Sequence, residues 1–314
     1  MYLPKSVLFY TNDRPHLFEF SLLRKKIFAI AVGWAVFVAF MVFGVVGINV
    51  YFENSSLKSL RTHYESARQE SQELKQVYNR LAKTYLEEQK IARIVGYVNH
   101  YLDEEHVDLW VTMLMQNGRD IYDNLNTFSK NRLEKGDSQY ALETGTSLLL
   151  AVGALESDFR INSTSPKGAY GPMQLRKITA RQIGLNNHKD PVENMNGGAF
   201  YLSSLLQKYY DYPDQLELAL ASYNAGTTRV KRDWISLWGA DWRDIRAGLV
   251  VGGKFKETRD YVTTIVVMSQ LLTSGRWSDM DLYFWKNYRR LIFQTEYAAR
   301  YEYEMDAVSV EGGL

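Results

Sequence analysis

The chain has 314 residues, enough for one or two domains. Its 37 Lys and Arg residues and 36 Asp and Glu residues leave a formal charge of +1, so it lacks the basic field of a dedicated nucleic-acid binder. The absence of cysteine excludes disulfide frameworks, thiolate metal sites and cysteine nucleophiles. The five histidines are scattered and form no HExxH pair, so we expect no metal site.

The distribution of proline predicts a mainly α protein. No proline lies between Leu17 and Ser165, and none follows Asp214. Long helices are therefore uninterrupted on both sides of one proline-containing region.

An apolar run near the N-terminus predicts a transmembrane helix. Residues 27–48 form an unbroken apolar run of 22 residues, the length that spans a hydrocarbon core, directly after Arg24, Lys25 and Lys26. No small-residue cleavage site follows, so we predict a retained signal anchor at 27–49 rather than a buried core helix, after a cytoplasmic tail at 1–26. The charge bias is modest, because basic residues also follow the run, but it favours a cytoplasmic N-terminus.

The next segment, 50–135, is predicted to be a helical stalk. A heptad pattern begins at Leu57, with Ser71 and Glu88 as its polar exceptions, and Glu70 and Lys75 occupy complementary g and e positions. Two interpretations stay open: a coiled coil that forms a homodimer, or one amphipathic helix that packs on its own domain. The a positions are Leu57, Tyr64, Ser71, Tyr78, Tyr85 and Ala92, and the d positions are Leu60, Ala67, Leu74, Leu81, Glu88 and Val95.

Residues 136–276 are predicted to form the domain that carries the chemistry. An aromatic-rich helix and tail, 277–314, would follow it, and its aromatic residues fit core packing or a partner surface.

Glu156 is the first candidate catalytic residue. It ends an apolar helix that begins near Ser147, and a polar loop, 162–167, follows. A carboxyl group in that position, facing a cleft, is expected to have a raised pKa, because desolvation disfavours its charged form. A solvated helix end is the alternative interpretation.

A glycine-containing loop, 168–175, is the second candidate element. Its glycines allow a tight turn and a close approach of the backbone to a ligand. Met173 offers an apolar contact, and Gln174 offers both a donor and an acceptor for an acetamido or hydroxyl group. The alternative is an ordinary loop before a helix that starts near Thr179.

Two further segments complete the pattern. One helix is predicted to end at Gly226, with Tyr223 and Asn224 in its last turn. Another is predicted to open with Glu257 in its first turn and to continue through Tyr261.

The joint order of these motifs resembles the lysozyme-like domain of the soluble lytic transglycosylases, glycoside hydrolase family 23. The motifs are E-S, G-x-M-Q, A-x-Y-N-A-G and E-T-x-x-Y-V, and the run from Asp190 to Leu202 is also similar. The resemblance covers about residues 140–275. Pro172 departs from the Leu that is usual in the family, which would stiffen the cleft loop.

The resemblance implies the roles of the site residues. Glu156 would be the catalytic acid and base, and Tyr261 would donate a hydrogen bond to it. The substrate-binding residues would be Ser157 and Gln174, which position the glycan; Met173 and Tyr223, which line the cleft; Glu257, nearby; and Asn224, whose role could be structural.

The resemblance also implies a reaction without metal or cofactor: cleavage of peptidoglycan at the β-1,4 bond after N-acetylmuramic acid to give 1,6-anhydro ends. Asp158 is a poor second carboxylate, because two residues along a helix turn it about 200° from Glu156. A hydrolytic muramidase remains an alternative if Asp190 or Glu193 reaches the cleft. A non-catalytic wall-binding scaffold is the other alternative.

The architecture predicts a single-pass protein of the bacterial inner membrane with its catalytic domain in the periplasm. Confinement by an anchor and a stalk would suit a specialised enzyme of a secretion, pilus, conjugation or phage apparatus.

Overall fold

A computed structural model describes residues 29–41, 55–133, 136, 141–251 and 255–277. The chain divides into two compact units, Met1–Leu86 and Glu87–Leu314. The predicted tail at 1–26, and the predicted C-terminal segment 277–314 beyond its first residue, lie outside the described residues.

The predicted membrane anchor is described only in part. Residues 29–41 are helical (α1), and the rest of 27–49 lies outside the described residues. Within the described ranges, no helix is both long enough and apolar enough to cross a bilayer.

The long helix α2 runs from Ser55 to Val98. Its sequence contains no proline and a single glycine, and pairs one turn apart, such as Arg61 with Glu65 at 3.0 Å, support its exposed surface. In the first unit, the heptad residues Leu60 and Tyr64 are each 42% exposed, and Leu74 and Leu81 are each 43% exposed. The predicted apolar stripe is therefore open to solvent in the single chain.

The second unit begins inside α2, which differs from the predicted domain start at 136. From Glu87 onward α2 buries Ile91, Ile94 and Val95, and the following helix α3, Glu104–Asn124, buries Trp110. These side chains belong to the same hydrophobic core as the rest of the unit. The segment predicted as the C-terminal part of a stalk is therefore core structure, because its apolar residues recur at helical spacing and have a partner surface to cover.

Helix α5, Thr144–Ser157, lies at the centre of this core. All its residues from Thr144 to Ala154 are buried, as expected for a helix that is apolar on every side. Its main neighbours are α3 and α11, Lys256–Ser274. Gly118 and Gly145 let α3 and α5 approach closely, because a Cβ on Gly145 would overlap the carbonyl of Gly118.

The remaining elements are short helices and one hairpin. The prediction of a mainly α chain is confirmed, with one addition: a short antiparallel hairpin of β1, Ala169–Tyr170, and β2, Leu175–Arg176. The other helices are α4, Thr127–Arg132; α6, Lys177–Gln182; α7, Pro191–Lys208; α8, Gln215–Ala225; a π-helix, Arg229–Ile235; α9, Ser236–Trp238; and α10, Trp242–Val251.

The helices next to the site begin and end at residues that cap them. Helix α7 begins after Asp190, whose carboxylate accepts a hydrogen bond from the backbone N–H of Glu193 at 2.9 Å, and Pro191 is its first residue. Helix α8 ends at Gly226, which has a φ of 91°, as the sequence predicts. Helix α6 begins two residues before the predicted start at Thr179.

Candidate active site

The four predicted segments meet at one cavity of about 660 Å³. The end of α5 contributes Glu156, the hairpin contributes Gln174, α8 contributes Tyr223 and Asn224, and α11 contributes Glu257 and Tyr261. Six of the eight predicted site residues therefore line a common space, although as many as 105 positions separate them along the chain.

Glu156 is a half-buried carboxyl group in the last turn of α5. Its Oε1 accepts a hydrogen bond from the Tyr261 hydroxyl at 2.6 Å. Burial raises the pKa of Glu156 to about 7; the Tyr261 hydrogen bond opposes this, and the nearby Glu257 adds to it. A carboxyl group with this pKa is divided between its acid and base forms near neutral pH.

Two tyrosines flank this carboxyl group. Burial, together with the charge of Glu156, raises the pKa of both Tyr223 and Tyr261 well above the usual tyrosine value. Both phenols therefore stay protonated and act as hydrogen-bond donors. The Tyr223 hydroxyl donates to the carbonyl of Met173 at 2.9 Å, which ties α8 to the loop between β1 and β2.

Ser157 and Met173 do not line the cavity, which differs from the prediction. The Ser157 side chain is buried, and its Oγ donates to the carbonyl of Pro172 at 2.8 Å. The Met173 side chain is fully buried against Gly198 of α7. Neither side chain therefore lines the cavity: Ser157 is bonded to the loop and Met173 is packed against α7.

Gln174 is held in a left-handed backbone conformation, with a φ of 48°. Its side-chain amide nitrogen donates to the carbonyls of Gly171 at 2.8 Å and Ser163 at 3.2 Å. These contacts occupy the amide nitrogen, so the amide oxygen is the part of Gln174 that can accept a hydrogen bond from a ligand.

The Asn194 side chain holds the loop between β1 and β2 in place through hydrogen bonds, a role that the sequence analysis did not assign. It is fully buried, and its amide nitrogen donates to the carbonyls of Tyr170 at 2.8 Å and His188 at 2.7 Å. Its amide oxygen accepts from the backbone N–H of Met173 at 2.9 Å. The signal that could have indicated this role is the position of Asn194 in the run from Asp190 to Leu202, which is part of the resemblance.

Sequence reasoning also missed Thr258 and Tyr201. The Thr258 hydroxyl donates to the amide oxygen of Asn224 at 2.6 Å, and Asn224 lines the cavity, so its amide nitrogen is the group that can donate to a ligand. Tyr201 lines the cavity beside Tyr223, with ring centroids 5.3 Å apart. Thr258 has a signal in its position next to Glu257, and Tyr201 has one in the run that follows Asp190.

The candidate second carboxylates lie elsewhere. Asp158 follows the helix as its left-handed C-cap and lies 3.7 Å from Arg160. Asp190 caps α7, and Glu193 accepts a hydrogen bond from the backbone N–H of Asn187 at 2.8 Å. None of the three lines the cavity, and among the described residues its acidic wall consists of Glu156, Glu257 and Asp260.

Comparison with known proteins shows which proteins the region around this site is similar to. Residues 135–239 match the family model described as the Transglycosylase SLT domain. Over this part of the chain the sequence is similar to the SLT domain. The resemblance drawn from the motifs is therefore confirmed, and the SLT domain includes Glu156, Gln174, Tyr223 and Asn224.

Several curated relatives carry similar segments. Membrane-bound lytic murein transglycosylase F of Pseudoalteromonas translucida is 42% identical over 91 residues, which cover 28% of this chain and 19% of that protein. The protein of the same name from Marinobacter nauticus is 42% identical over 105 residues, covering 31% and 21%. That from Shewanella halifaxensis is 36% identical over 143 residues, covering 41% and 30%. The chain thus spans less than a third of the length of these relatives.

Proposed function

We propose that this chain is a lytic transglycosylase that cleaves the β-1,4 bond between N-acetylmuramic acid and N-acetylglucosamine in peptidoglycan. The observation that carries the proposal is the state of Glu156: a carboxyl group with a pKa of about 7, hydrogen-bonded to Tyr261 in a cavity of the SLT domain. The curated relatives, named as murein transglycosylases, support the same substrate.

In the proposed first step, protonated Glu156 donates its proton to the bridging glycosidic oxygen. The bond from that oxygen to C1 of the muramyl residue breaks, and the oxygen of the 2-acetamido group forms a bond to C1. The substrate thus supplies the nucleophile, so the protein needs no second carboxylate for this step.

In the proposed second step, the Glu156 carboxylate accepts the proton of the C6 hydroxyl group of the same sugar. The C6 oxygen attacks C1 and displaces the acetamido oxygen, which closes the 1,6-anhydro ring. The carboxyl group recovers its proton and no water is consumed. The pKa of about 7 supports this exchange of acid and base roles within one turnover.

The surrounding residues have proposed roles in binding. The Gln174 amide oxygen and the Asn224 amide nitrogen are the acceptor and donor for the glycan, and Tyr261 positions Glu156. Tyr223 fixes the loop through the Met173 carbonyl, and Ser157 fixes it through the Pro172 carbonyl. Ser157 and Met173 therefore support the cleft rather than contact the glycan directly.

A hydrolytic muramidase is the second candidate, because two other acids line the cavity. Asp260 forms an ion pair with Lys256 and accepts from Arg259 at 2.8 Å, so it is engaged. Glu257 is largely exposed and lies 3.5 Å from Lys167, so it is the acid that could activate a water molecule.

The experiment measures the cleavage of purified sacculi in water enriched with ¹⁸O. It compares three proteins: the unchanged chain, the Glu156→Gln variant and the matched control Asp158→Asn. We expect unlabelled 1,6-anhydro products from the unchanged chain and from Asp158→Asn, which alters a neighbouring acid outside the cavity. Glu156→Gln should lower the rate at least about a hundredfold while its melting curve stays cooperative. Reducing ends that contain ¹⁸O would favour the muramidase, and no cleavage by the unchanged chain would favour a non-catalytic wall-binding scaffold.

The membrane anchor belongs to the same proposal. We infer a single-pass protein of the bacterial inner membrane, with residues 27–49 as the span and the SLT domain in the periplasm. The apolar run and its basic flank support this arrangement, as does the membrane-bound description of the relatives. A domain held near the membrane would open the wall at chosen places, as a trans-envelope apparatus requires.

A further inference from the structure

The cavity has a cationic wall that the proposed mechanism does not use. Lys167 and Arg176 both line it. Arg176 is the second residue of β2 and pairs in register with Ala169 of β1, two positions after Lys167. The hairpin therefore brings both cations to the same end of its two strands.

The charges of the cavity wall are compensated unequally. Lys167 lies 3.5 Å from Glu257, and Asp260 is paired with Lys256 and Arg259. Arg176 is exposed, and none of the acids in the described residues forms an ion pair with it. Arg176 is thus a guanidinium group at the cavity that has no ion-pair partner among the described residues.

Arginine in this position fits a carboxylate. Its planar guanidinium group presents paired donors that match the two oxygens of a carboxylate, and it stays charged at every physiological pH. Peptidoglycan carries such groups: the lactyl ether of each muramyl residue ends in a carboxyl group, which is either free or linked to a stem peptide that has carboxylates of its own.

We propose that Arg176, with Lys167 beside it, binds a carboxylate of the glycan substrate and so makes the cleft selective for acidic strands over uncharged amino-sugar polymers. This inference rests on the proposed function, since it assigns a substrate feature to the same cavity. Lys167 contributes less than Arg176, because Glu257 already neutralises part of its charge.

The test measures binding rather than cleavage. Full-length Glu156→Gln chain is titrated calorimetrically with three strands: peptide-free glycan with free lactyl carboxylates, peptide-bearing glycan, and peptide-bearing glycan whose carboxyl groups have been converted to methylamides. Adding Arg176→Ala should raise the Kd about threefold to tenfold for at least one carboxylate-bearing strand and leave the Kd for the methylamide strand unchanged. Arg176→Lys should lie between the two.

Arg181→Ala is the matched control. Arg181 is an exposed arginine of helix α6, which follows Arg176 directly, and it does not line the cavity. Loss with the peptide-free strand identifies the lactyl carboxylate as the ligand, and loss confined to the peptide-bearing strand identifies the stem peptide. Equal loss on the methylamide strand, no loss on any strand, or no binding by the chain that keeps Arg176 would each overturn the inference.

A failure of this inference can be distinguished from a failure of the proposed function. Cleavage by the unchanged chain with a Kd that is indifferent to Arg176 would remove only the carboxylate site. A carboxylate-dependent Kd in a chain that never cleaves would leave the site in place and remove the transglycosylase.

Discussion

Two neighbours of Glu156 act in opposite directions on its pKa. The Tyr261 hydrogen bond stabilises the carboxylate and lowers the pKa, whereas the charge of Glu257 destabilises the carboxylate and raises it. Burial is the largest effect, so the net direction is upward. The balance matters because the first step needs the acid form, and the population of that form falls as pH rises through the pKa.

The pH profile of cleavage tests this balance. We expect the rate of the unchanged chain to fall above about pH 7. Glu257→Gln should move this alkaline limb to lower pH, because it removes a negative charge that raises the pKa. Tyr261→Phe should move the limb to higher pH, because it removes the hydrogen bond that lowers the pKa, and it should also reduce the maximal rate. Limbs that coincide in all three proteins would mean that another group is the acid.

For single residues, the sequence predicts which side chains face the cavity better than it predicts which side chains hold the cavity wall in place. Glu156, Tyr223 and Tyr261 line the cavity as expected, because each lies on a regular helix whose periodicity relates its direction to that of its neighbours. Ser157, the last residue of α5, and Met173, in the loop between β1 and β2, point away from the cavity. Their direction depends on contacts with Pro172 and Gly198, and no periodicity encodes such contacts.

Among the secondary-structure elements, the hairpin depends on helix α7, which follows it in the chain. Its strands have two residues each, too few for an alternating pattern to be read. Gly171, at a φ of 78°, packs against the Asn194 side chain so closely that an added Cβ would overlap it. Helix α7 therefore shapes the loop that carries Gln174, and the sequence of the loop alone does not specify its conformation.

Removal of the Asn194 side chain should destabilise the loop between β1 and β2. We expect Asn194→Ala to lower the free energy of unfolding by about 2–4 kcal/mol, because three backbone groups lose a buried hydrogen-bond partner. Asn196→Ala is the matched control on the exposed face of the same helix, where one contact with Asn117 is lost, and it should cost less than about 1 kcal/mol. Denaturant titration of both variants measures the difference, and equal losses would contradict the anchoring role.

The division of the chain was also set by packing rather than by helical pattern. Apolar residues at helical spacing continue from α2 into α3, so periodicity alone extends a stalk to 135. Leu114 and Trp110 of α3 are fully buried in the core of the second unit, whereas Leu74 of α2 is 43% exposed. The same apolar spacing thus occurs in a buried helix and in a solvent-exposed helix. The two differ only in whether another part of the chain packs against the apolar side.

For the molecule as a whole, the open stripe of α2 predicts a parallel dimer. In the heptad register, Ser71 occupies an a position that faces a partner helix, and Ser66 occupies a c position that faces away. The chain has no native cysteine, so a single introduced thiol reports on this geometry. We expect Ser71→Cys to form a disulfide-linked dimer under mild oxidation and Ser66→Cys to remain monomeric on a non-reducing gel. Equal cross-linking at both positions, or none, would favour an unpaired helix.

The proposed arrangement across the membrane follows from where the proposed substrate lies. Peptidoglycan is outside the inner membrane, so an SLT domain held in the cytoplasm would have no glycan to cleave. The basic residues Arg24, Lys25 and Lys26 favour the same orientation on independent electrostatic grounds, although basic residues after the span weaken that bias. The substrate argument and the charge argument therefore agree on a cytoplasmic N-terminus.

Protease added to spheroplasts tests this topology. We expect degradation of the SLT domain and survival of a fragment that contains residues 1–49, because lipid shields the apolar run and the cytoplasm shields the tail. A cytoplasmic marker protein that stays intact is the control for membrane integrity, and detergent should make the surviving fragment cleavable. Protection of the SLT domain would reverse the orientation. A mature chain that begins after Ile48 would mean that the apolar run is a cleaved signal, and the anchor would then have to be abandoned.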